Sequence, residues 1–338
     1  MTARFVAREE PAWHARVVAR HAMTYRDGPS DEDDRPPYVR AASGLSAFRE
    51  YLAVIQDDAN WLALIDREQQ VTAIPLPPGP HGDRVFSESR GNAQDKYDLE
   101  ACVTVSSGDR CELVGFSSGS REEREWVLRV REPAGDSGEF EAEFLPAHAF
   151  YAAMRRQQGF SGAALNIEGA LSLDEDTIRL FQRGNAEPGD GREAIDATGD
   201  FSWAELCRHL GDPAGCAPPV LANLRTYDLG MLAGVRLTFS DAEHLGEGRV
   251  LYSASAEEPK TGAIHGSVLG IIEPDGSARW TRLTDEDGTP FNGKIEGLTV
   301  DAADPAKLVF VIDDDDEDTP SRIFHAVVSE GMLGHGEA

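Results

Sequence analysis

Lysine is nearly missing from this sequence: Lys96, Lys260, Lys294 and Lys307 are the whole complement, so 28 of the 32 basic residues are arginine. Against 60 acidic residues this leaves a net charge of −28 and a pI near 4.6. Such a chain has no clustered basic stripe with which to track a phosphate backbone, so nucleic acid is not an expected partner. The arginine bias fits a GC-rich genome as well as it fits function, and the acidity by itself mostly reports solubility.

Cysteine is equally scarce. Cys102, Cys111, Cys207 and Cys216 show no CxxC spacing, and Cys207 and Cys216 with His209 make at most a partial metal set. Buried or loop thiols are the expectation, because a reducing cytosol disfavours disulfides. Apolar runs long enough to cross a bilayer, at about 20 residues, are lacking. Met1 to Phe5 carries neither the apolar stretch nor the cleavage site of a signal peptide. The expected location is therefore cytoplasmic, with no membrane partner. Also missing are a P-loop, a Rossmann fingerprint, HExxH and GxSxG. Ser117-Ser118-Gly119-Ser120 offers hydroxyls without a local histidine, which argues against a serine nucleophile.

What the sequence does have is repetition. Asp98-Leu99-Glu100-Ala101, Asn166-Ile167-Glu168-Gly169, Gly234-Val235-Arg236-Leu237 and Lys294-Ile295-Glu296-Gly297 share a pattern, with Tyr38-Val39-Arg40-Ala41 as a diverged fifth copy. Their charged positions, Arg40, Glu100, Glu168, Arg236 and Glu296, are separated by 60, 68, 68 and 60 residues. A period of this kind is the sequence signature of propellers and solenoids. Short apolar runs bounded by Gly, Asp, Asn and Pro read as strands. The expected fold is all-β, one β-propeller domain over 1–338, with blades at about 36–85, 95–160, 162–230, 232–290 and 292–330. Five blades follow from the phrase count; six would follow if Pro259 to Gly293 hides another unit. The fifth blade is short of an outer strand, and a strand at about 14–25 closes the ring, which leaves no long exposed edge. Residues 186–219 read as an irregular insertion. Ala147 to Gln158 and Ser202 to Leu210 read as helices, the second with Ser202 as N-cap and Glu205 as its capping-box partner.

The innermost strand of each blade lines a propeller's channel, so Glu100, Glu168 and Glu296 are expected to converge there. Carboxylates in a confined channel repel unless protonated or neutralised. Calcium suits them, since it takes ~6–8 oxygen ligands in flexible geometry; the absence of histidine from the phrases argues against zinc. The alternative is a satisfied network in which the glutamates pair with Arg40, Arg183 and Arg236. The glycines of Glu168-Gly169 and Glu296-Gly297 suggest a bulge or a close backbone approach.

Each phrase is followed by a second strand with a polar ending: Asp57-Asp58, Ser118 and Ser120, Arg183 and Asn185, Glu257-Glu258, and Asp313. These endings are expected on one face, where arginine forks could clamp an anionic ligand beside a metal. Each residue taken singly also reads as ordinary hairpin-turn chemistry. The run Asp313 to Asp318 could hold a cation at its start, with the remainder a solvated loop; it lacks the spacing of an EF-hand.

Taken with Val39 to Leu45, Gln56-Asp57-Asp58, Gln182-Arg183-Gly184-Asn185, Ala256-Glu257-Glu258 and Asp313-Asp314-Asp315, these phrases make the chain resemble an uncharacterised bacterial β-propeller family from about Arg35 to Asp315. More distantly it is similar to phytase-like or esterase-like propellers and to calcium-activated nucleotidases. That similarity implies Glu100, Glu168 and Glu296 as calcium ligands, with Arg40, Arg183 and Arg236 meeting phosphate, although a lysine-rich phytate pocket is lacking. The combined expectation is a calcium-binding propeller that binds or hydrolyses a small anionic ligand, a phosphoester or related ester. In that reading Asp313 joins the metal set, and Arg40, Arg183, Arg236 and Ser120 hold the ligand. Asp58, Glu257 or Glu258 acts as base while the arginines, Arg183 first, stabilise developing charge. The alternatives are a non-catalytic ligand- or protein-binding scaffold with a structural cation, and a glycan-active enzyme with two acids about 5–10 Å apart.

Overall fold

The computed structural model describes residues 2–108, 110–132, 140–186, 191–302, 304–314 and 316–334. Three short strands open the chain, β1 (Ala3–Val6), β2 (Arg8–Glu9) and β3 (Ala15–Ala22), and each pairs with a partner far along the sequence. Antiparallel meanders follow. The first group is β4 (Ala42–Phe48), β5 (Tyr51–Gln56), β6 (Trp61–Ile65) and β7 (Val71–Pro75); the second is β8 (Leu99–Ser107), β9 (Arg110–Ser117), β10 (Trp126–Arg131) and β11 (Glu141–Pro146). The third is β12 (Ile167–Ser172), β13 (Thr177–Gln182), β14 (Asp196–Ser202) and β15 (Ala222–Asp228), extended by β1, which runs parallel to β15. The short β16 (Met231–Leu232) leads into the fourth group, β17 (Val235–Gly246), β18 (Arg249–Glu257), β19 (Ile264–Ile272) and β20 (Ala278–Thr284). The fifth has β21 (Ile295–Val300), β22 (Lys307–Ile312) and β23 (Arg322–Val328), and β3 lies antiparallel to β23 from Ala15 to Ala22. β3 also touches β20 at Leu283 and Thr284, which joins the last two groups into one ten-stranded sheet.

The alternative of a further unit and the reading of an insertion both change here. Residues 259–293 supply β19 and β20 to the fourth group rather than a further unit. The stretch 186–219, read as an insertion, contains β14, paired on both edges by β13 and β15, and the helix Trp203–Gly211. Asp196-Ala-Thr-Gly-Asp-Phe-Ser lacks an apolar run because its acids are neutralised in place: Asp200 takes a two-point bond from the buried Arg179 at 2.6 and 2.9 Å. Residues 187–190 of that stretch lie outside the described residues. The helix starts as its sequence suggests, with Ser202 Oγ accepting from the Glu205 amide at 3.2 Å. The other expected helix is observed as His148–Arg156 and a turn at Gln158–Ser161.

Apolar side chains fill the gaps between successive groups. Phe116 and Phe201 join the second group to the third, and Phe181 and Phe239 meet edge to face, centroids 5.2 Å apart, between the third and fourth. Leu251 and Leu298 share a core between the fourth and fifth. Val311 and Leu45 do so between the fifth and first, as do Ile55 and Leu113 between the first and second. Each fully buried Phe or Leu contributes about 1.5–3 kcal/mol. The first strands of the groups pack side by side in the same order, β4 against β8, β8 against β12, β12 against β17, β17 against β21, and β21 against β4. The arrangement is propeller-like, and the starts of these strands and the ends of their partners share one face.

Candidate functional site

Each first strand carries a bulge, one extra residue that breaks the pairing register, at the second residue of β4, β8, β12 and β21 and at the sixth of β17. The extra residues are Ser43, Glu100, Glu168, Ser240 and Glu296. The equivalence drawn from the phrases thus holds at the three glutamates and fails at Arg40 and Arg236, which lie three and four residues before the bulge. Ser43 and Ser240 hold the positions instead. Ser43 Oγ donates to the Leu99 carbonyl at 2.6 Å, and Ser240 Oγ bonds Ser255 Oγ at 2.8 Å. A small hydroxyl leaves no charge signature in sequence, while a nearby arginine does. The bulge expected at Gly169 and Gly297 is present, and so is the close approach: a Cβ at Gly297 would sit 2.4 Å from the Leu45 amide.

The three glutamates face one another in the channel. Burial, then the charges of Asp98 and Glu168, push the Glu100 carboxyl well above its usual range. Glu296 is pushed up to about 8, chiefly by burial, against the pull of Lys294. Two cations sit among them. Lys294 Nζ is 2.6 Å from Glu296 Oε1. Arg183, 4% exposed, bridges Glu168 at 3.0 Å and Glu257 at 2.5 Å and donates to Thr238 Oγ1 at 3.2 Å. Burial opposes the Arg183 charge, but these carboxylates outweigh it and raise its pKa.

A second acidic group shares Glu100 with the first: the donor oxygens of Asp57, Asp98 and Glu100 lie within 4.8 Å of one another. Asp98 is buried with a left-handed backbone, φ 57°, and its carboxylate accepts from Ser118 Oγ at 2.5 Å. Lys96 Nζ reaches into the cluster, 2.6 Å from Asp57 and 3.0 Å from Asp98, and Arg124 meets Asp98 at 3.0 Å. Burial, with Asp98 and Asp58 against Lys96, lifts the Asp57 carboxyl to about 7.

Above this cluster opens a cavity of about 450 Å³ whose rim includes Arg40, Lys96, Arg121, Arg124, Asp313 and Glu317. Arg40 closes on Asp58 at 2.7 Å. Ser120 stands beside the cavity, its Oγ accepting from Arg124 at 3.3 Å. Asp313 Oδ1 accepts from Ser321 Oγ at 3.1 Å; Asp315 lies outside the described residues. A second cavity of about 330 Å³ lies between the third and fourth groups and includes Asn185, Arg236, Thr238 and Glu257. Arg236 pairs there with the fully buried Asp196 at 2.7 Å. Glu258 bonds Thr261 and His265 instead.

The residues expected to act together are therefore divided. Asp58, Arg40 and Asp313 line one cavity; Glu257 and Arg236 line the other, with Arg183 buried beneath Glu257; Glu258 belongs to neither lining. The sequence reading missed Lys96, Asp98, Lys294, Arg121 and Arg124. Two of these are lysines, and the rarity of that residue was the available signal.

Fold and mouth together define an all-β, propeller-like protein with a polar channel face. The chain belongs to the Family of unknown function (DUF6929), whose profile matches residues 38–328. No curated protein matches it. Solved structures similar to it include a gluconolactonase from Xanthomonas campestris, at 13% identity and TM-score 0.38 over 86% of this chain and 88% of that one. Virginiamycin B lyase from Staphylococcus aureus aligns at 10% and 0.40 over 93% and 99%. The catalytic domain of a Coprinopsis cinerea GH62 alpha-L-arabinofuranosidase aligns at 11% and 0.44 over 94% and 97%. Likenesses at these values carry nothing about the chemistry of this chain. Among the described residues no helix is long and apolar enough to cross a membrane.

Proposed function

We propose that the chain is a single five-bladed propeller, closed by β3, which binds a small anionic ligand in the cavity between the first, second and fifth groups. The contact of β21 with β4, and the apolar core that β4 shares with β22 and β23, support the closure. The observation that carries the ligand is Arg121, which makes no ion pair among the described residues and lies on the rim beside Arg124 and Lys96. A guanidinium free at a concave, polar site is suited to a phosphate or carboxylate fork. Calorimetric titration with inorganic phosphate tests this: saturable binding that Arg121→Ala weakens supports it, and heats that the substitution leaves unchanged count against it.

A hydrolase is the second reading, favoured by Asp57. A carboxyl titrating near 7 at the floor of a cavity can take a proton from water and return it to a leaving group. Asp58 and Glu257, by contrast, are held in ion pairs with Arg40 and Arg183. Calcium fits the channel poorly at Glu168 and Glu296, whose charges Arg183 and Lys294 already meet. Of the expected ligands, Glu100 keeps a place in a metal-competent set, with Asp57 and Asp98. Calcium–oxygen distances of ~2.3–2.6 Å would put an ion where the Lys96 ammonium lies, so calcium there competes with Lys96. Bound, it would polarise an ester oxygen. A screen of aryl phosphates and esters with wild type and Asp57→Asn separates hydrolase from binding module: turnover lost in the variant favours the enzyme.

A further inference from the structure

The cavity has two walls of opposite charge, and we infer that its ligand is a zwitterion carrying a phosphate or carboxylate at one end and a protonated amine at the other. This rests on the anionic-ligand reading above and makes it narrower.

The order of the groups sets the walls. β4 packs against β8 on one side and β21 on the other, so the first group stands between the second and the fifth. The basic wall, Lys96, Arg121 and Arg124, comes from the flanks of β8 and β9 in the second group. The acidic wall comes from the β22–β23 turn of the fifth, with Asp316 and Glu317, and from Glu88 in the excursion after β7. A hydrogen bond from Ser89 Oγ to Glu317 Oε2 at 2.7 Å holds that excursion to the turn. Between the walls, Arg40 closes on Asp58 and also donates to the Glu317 carbonyl at 3.3 Å.

Internal pairing leaves charge on both walls. Lys96 and Arg124 are engaged with Asp57 and Asp98, but Arg121 is not engaged with a carboxylate among the described residues. Glu88, Asp316 and Glu317 are exposed, and among the described residues none of the three is in an ion pair. The Asp316 oxygens accept from the Asp318 amide and Thr319 Oγ1, which favours the ionised form. A plain anion at Arg121 would face those carboxylates across the cavity, on a molecule with 28 excess negative charges. Like charges so placed weaken binding. An ammonium at the far end of the same ligand turns that repulsion into attraction, and complementary charge at both ends selects against ligands that carry only one. A volume of about 450 Å³ suits a molecule the size of an amino acid or an amino-alkyl phosphate.

Three probes separate the contributions: O-phosphoethanolamine, ethyl phosphate, which lacks the amine, and ethylammonium, which lacks the phosphate. Calorimetric titration should give phosphoethanolamine at least about tenfold tighter binding than ethyl phosphate, with ethylammonium weakest. Glu317→Gln and, separately, Glu88→Gln should narrow the gap without weakening ethyl phosphate, and Arg121→Ala should weaken both phosphates. Equal binding of the two phosphates overturns the zwitterion and leaves the anionic-ligand reading standing. Binding of neither phosphate overturns both, and ethylammonium binding as tightly as phosphoethanolamine shows a cation site instead.

Discussion

At the third group the channel mouth is sealed: Arg183 is 4% exposed and fixed between Glu168 and Glu257. At the second it is open: Arg121 faces the cavity with no carboxylate partner among the described residues, and Arg124 and Lys96 sit behind it. Both arginines follow the second strand of their group, Arg183 directly after β13, in the place that Ser118 holds after β9, and Arg121 three residues further on. What separates them is the neighbouring group. The fourth brings Glu257 and Thr238 onto Arg183, whereas beside Arg121 the first brings a pair that is already closed, Arg40 and Asp58. An arginine that follows a second strand becomes structural or ligand-facing according to what the neighbouring group lays against it.

The largest effect should come from breaking the sealed half. Arg183→Ala leaves Glu168 and Glu257 uncompensated and should cost about 3–5 kcal/mol in urea unfolding; a loss below about 1 kcal/mol would mean the pair is not buried as described. Gly297→Ala comes next, at about 1–3 kcal/mol of overpacking, because its Cβ would enter the β4 backbone at Leu45. An unchanged midpoint there would argue against the approach of the fifth group to the first.

In the open half the effects shift from stability to binding. Arg121→Ala should keep the wild-type midpoint and weaken phosphate about tenfold, in line with ~1.5–3 kcal/mol for charged hydrogen bonds. Affinity for sulfate, whose charge is constant over this range, should fall as pH rises through about 7, because Asp57 then gains a negative charge at the cavity floor; Asp57→Asn should flatten that profile. The same raised carboxyl has a stability consequence. Its contribution is complete below about pH 4 and is lost as pH climbs through 7, since the folded state holds the proton longer than the unfolded chain. The smallest effect should be that of calcium on wild-type melting, because Lys96 already occupies the acidic cluster. Lys96→Met should make the melt more calcium-sensitive, and a strong calcium dependence in wild type would show that the ion displaces the lysine unaided.

The repeat exposed the starts of the first strands and placed Glu100, Glu168 and Glu296 together, because a glutamate between an apolar residue and a small one is conspicuous. Ser43 and Ser240 were not visible, since serine is at home in any turn, and Arg40 and Arg236 drew the register away from them. β14 was hidden by its own acids, whose partners Arg179 and Arg236 come from a preceding strand and from the next group. Arg124 reaches Lys96 and Asp98 only in three dimensions, across about 30 residues of chain that include two strands. Their pairing could not be read from spacing.

The most direct test of the division is the urea midpoint of wild type, Arg121→Ala and Arg183→Ala, each with and without inorganic phosphate. Wild type should shift upward with phosphate, Arg121→Ala should begin at the wild-type midpoint and lose the shift, and Arg183→Ala should begin several kcal/mol lower. An Arg121→Ala protein that keeps the full shift, or an Arg183→Ala protein that unfolds at the wild-type midpoint, would contradict the assignment of one half of the mouth to the ligand and the other to the fold.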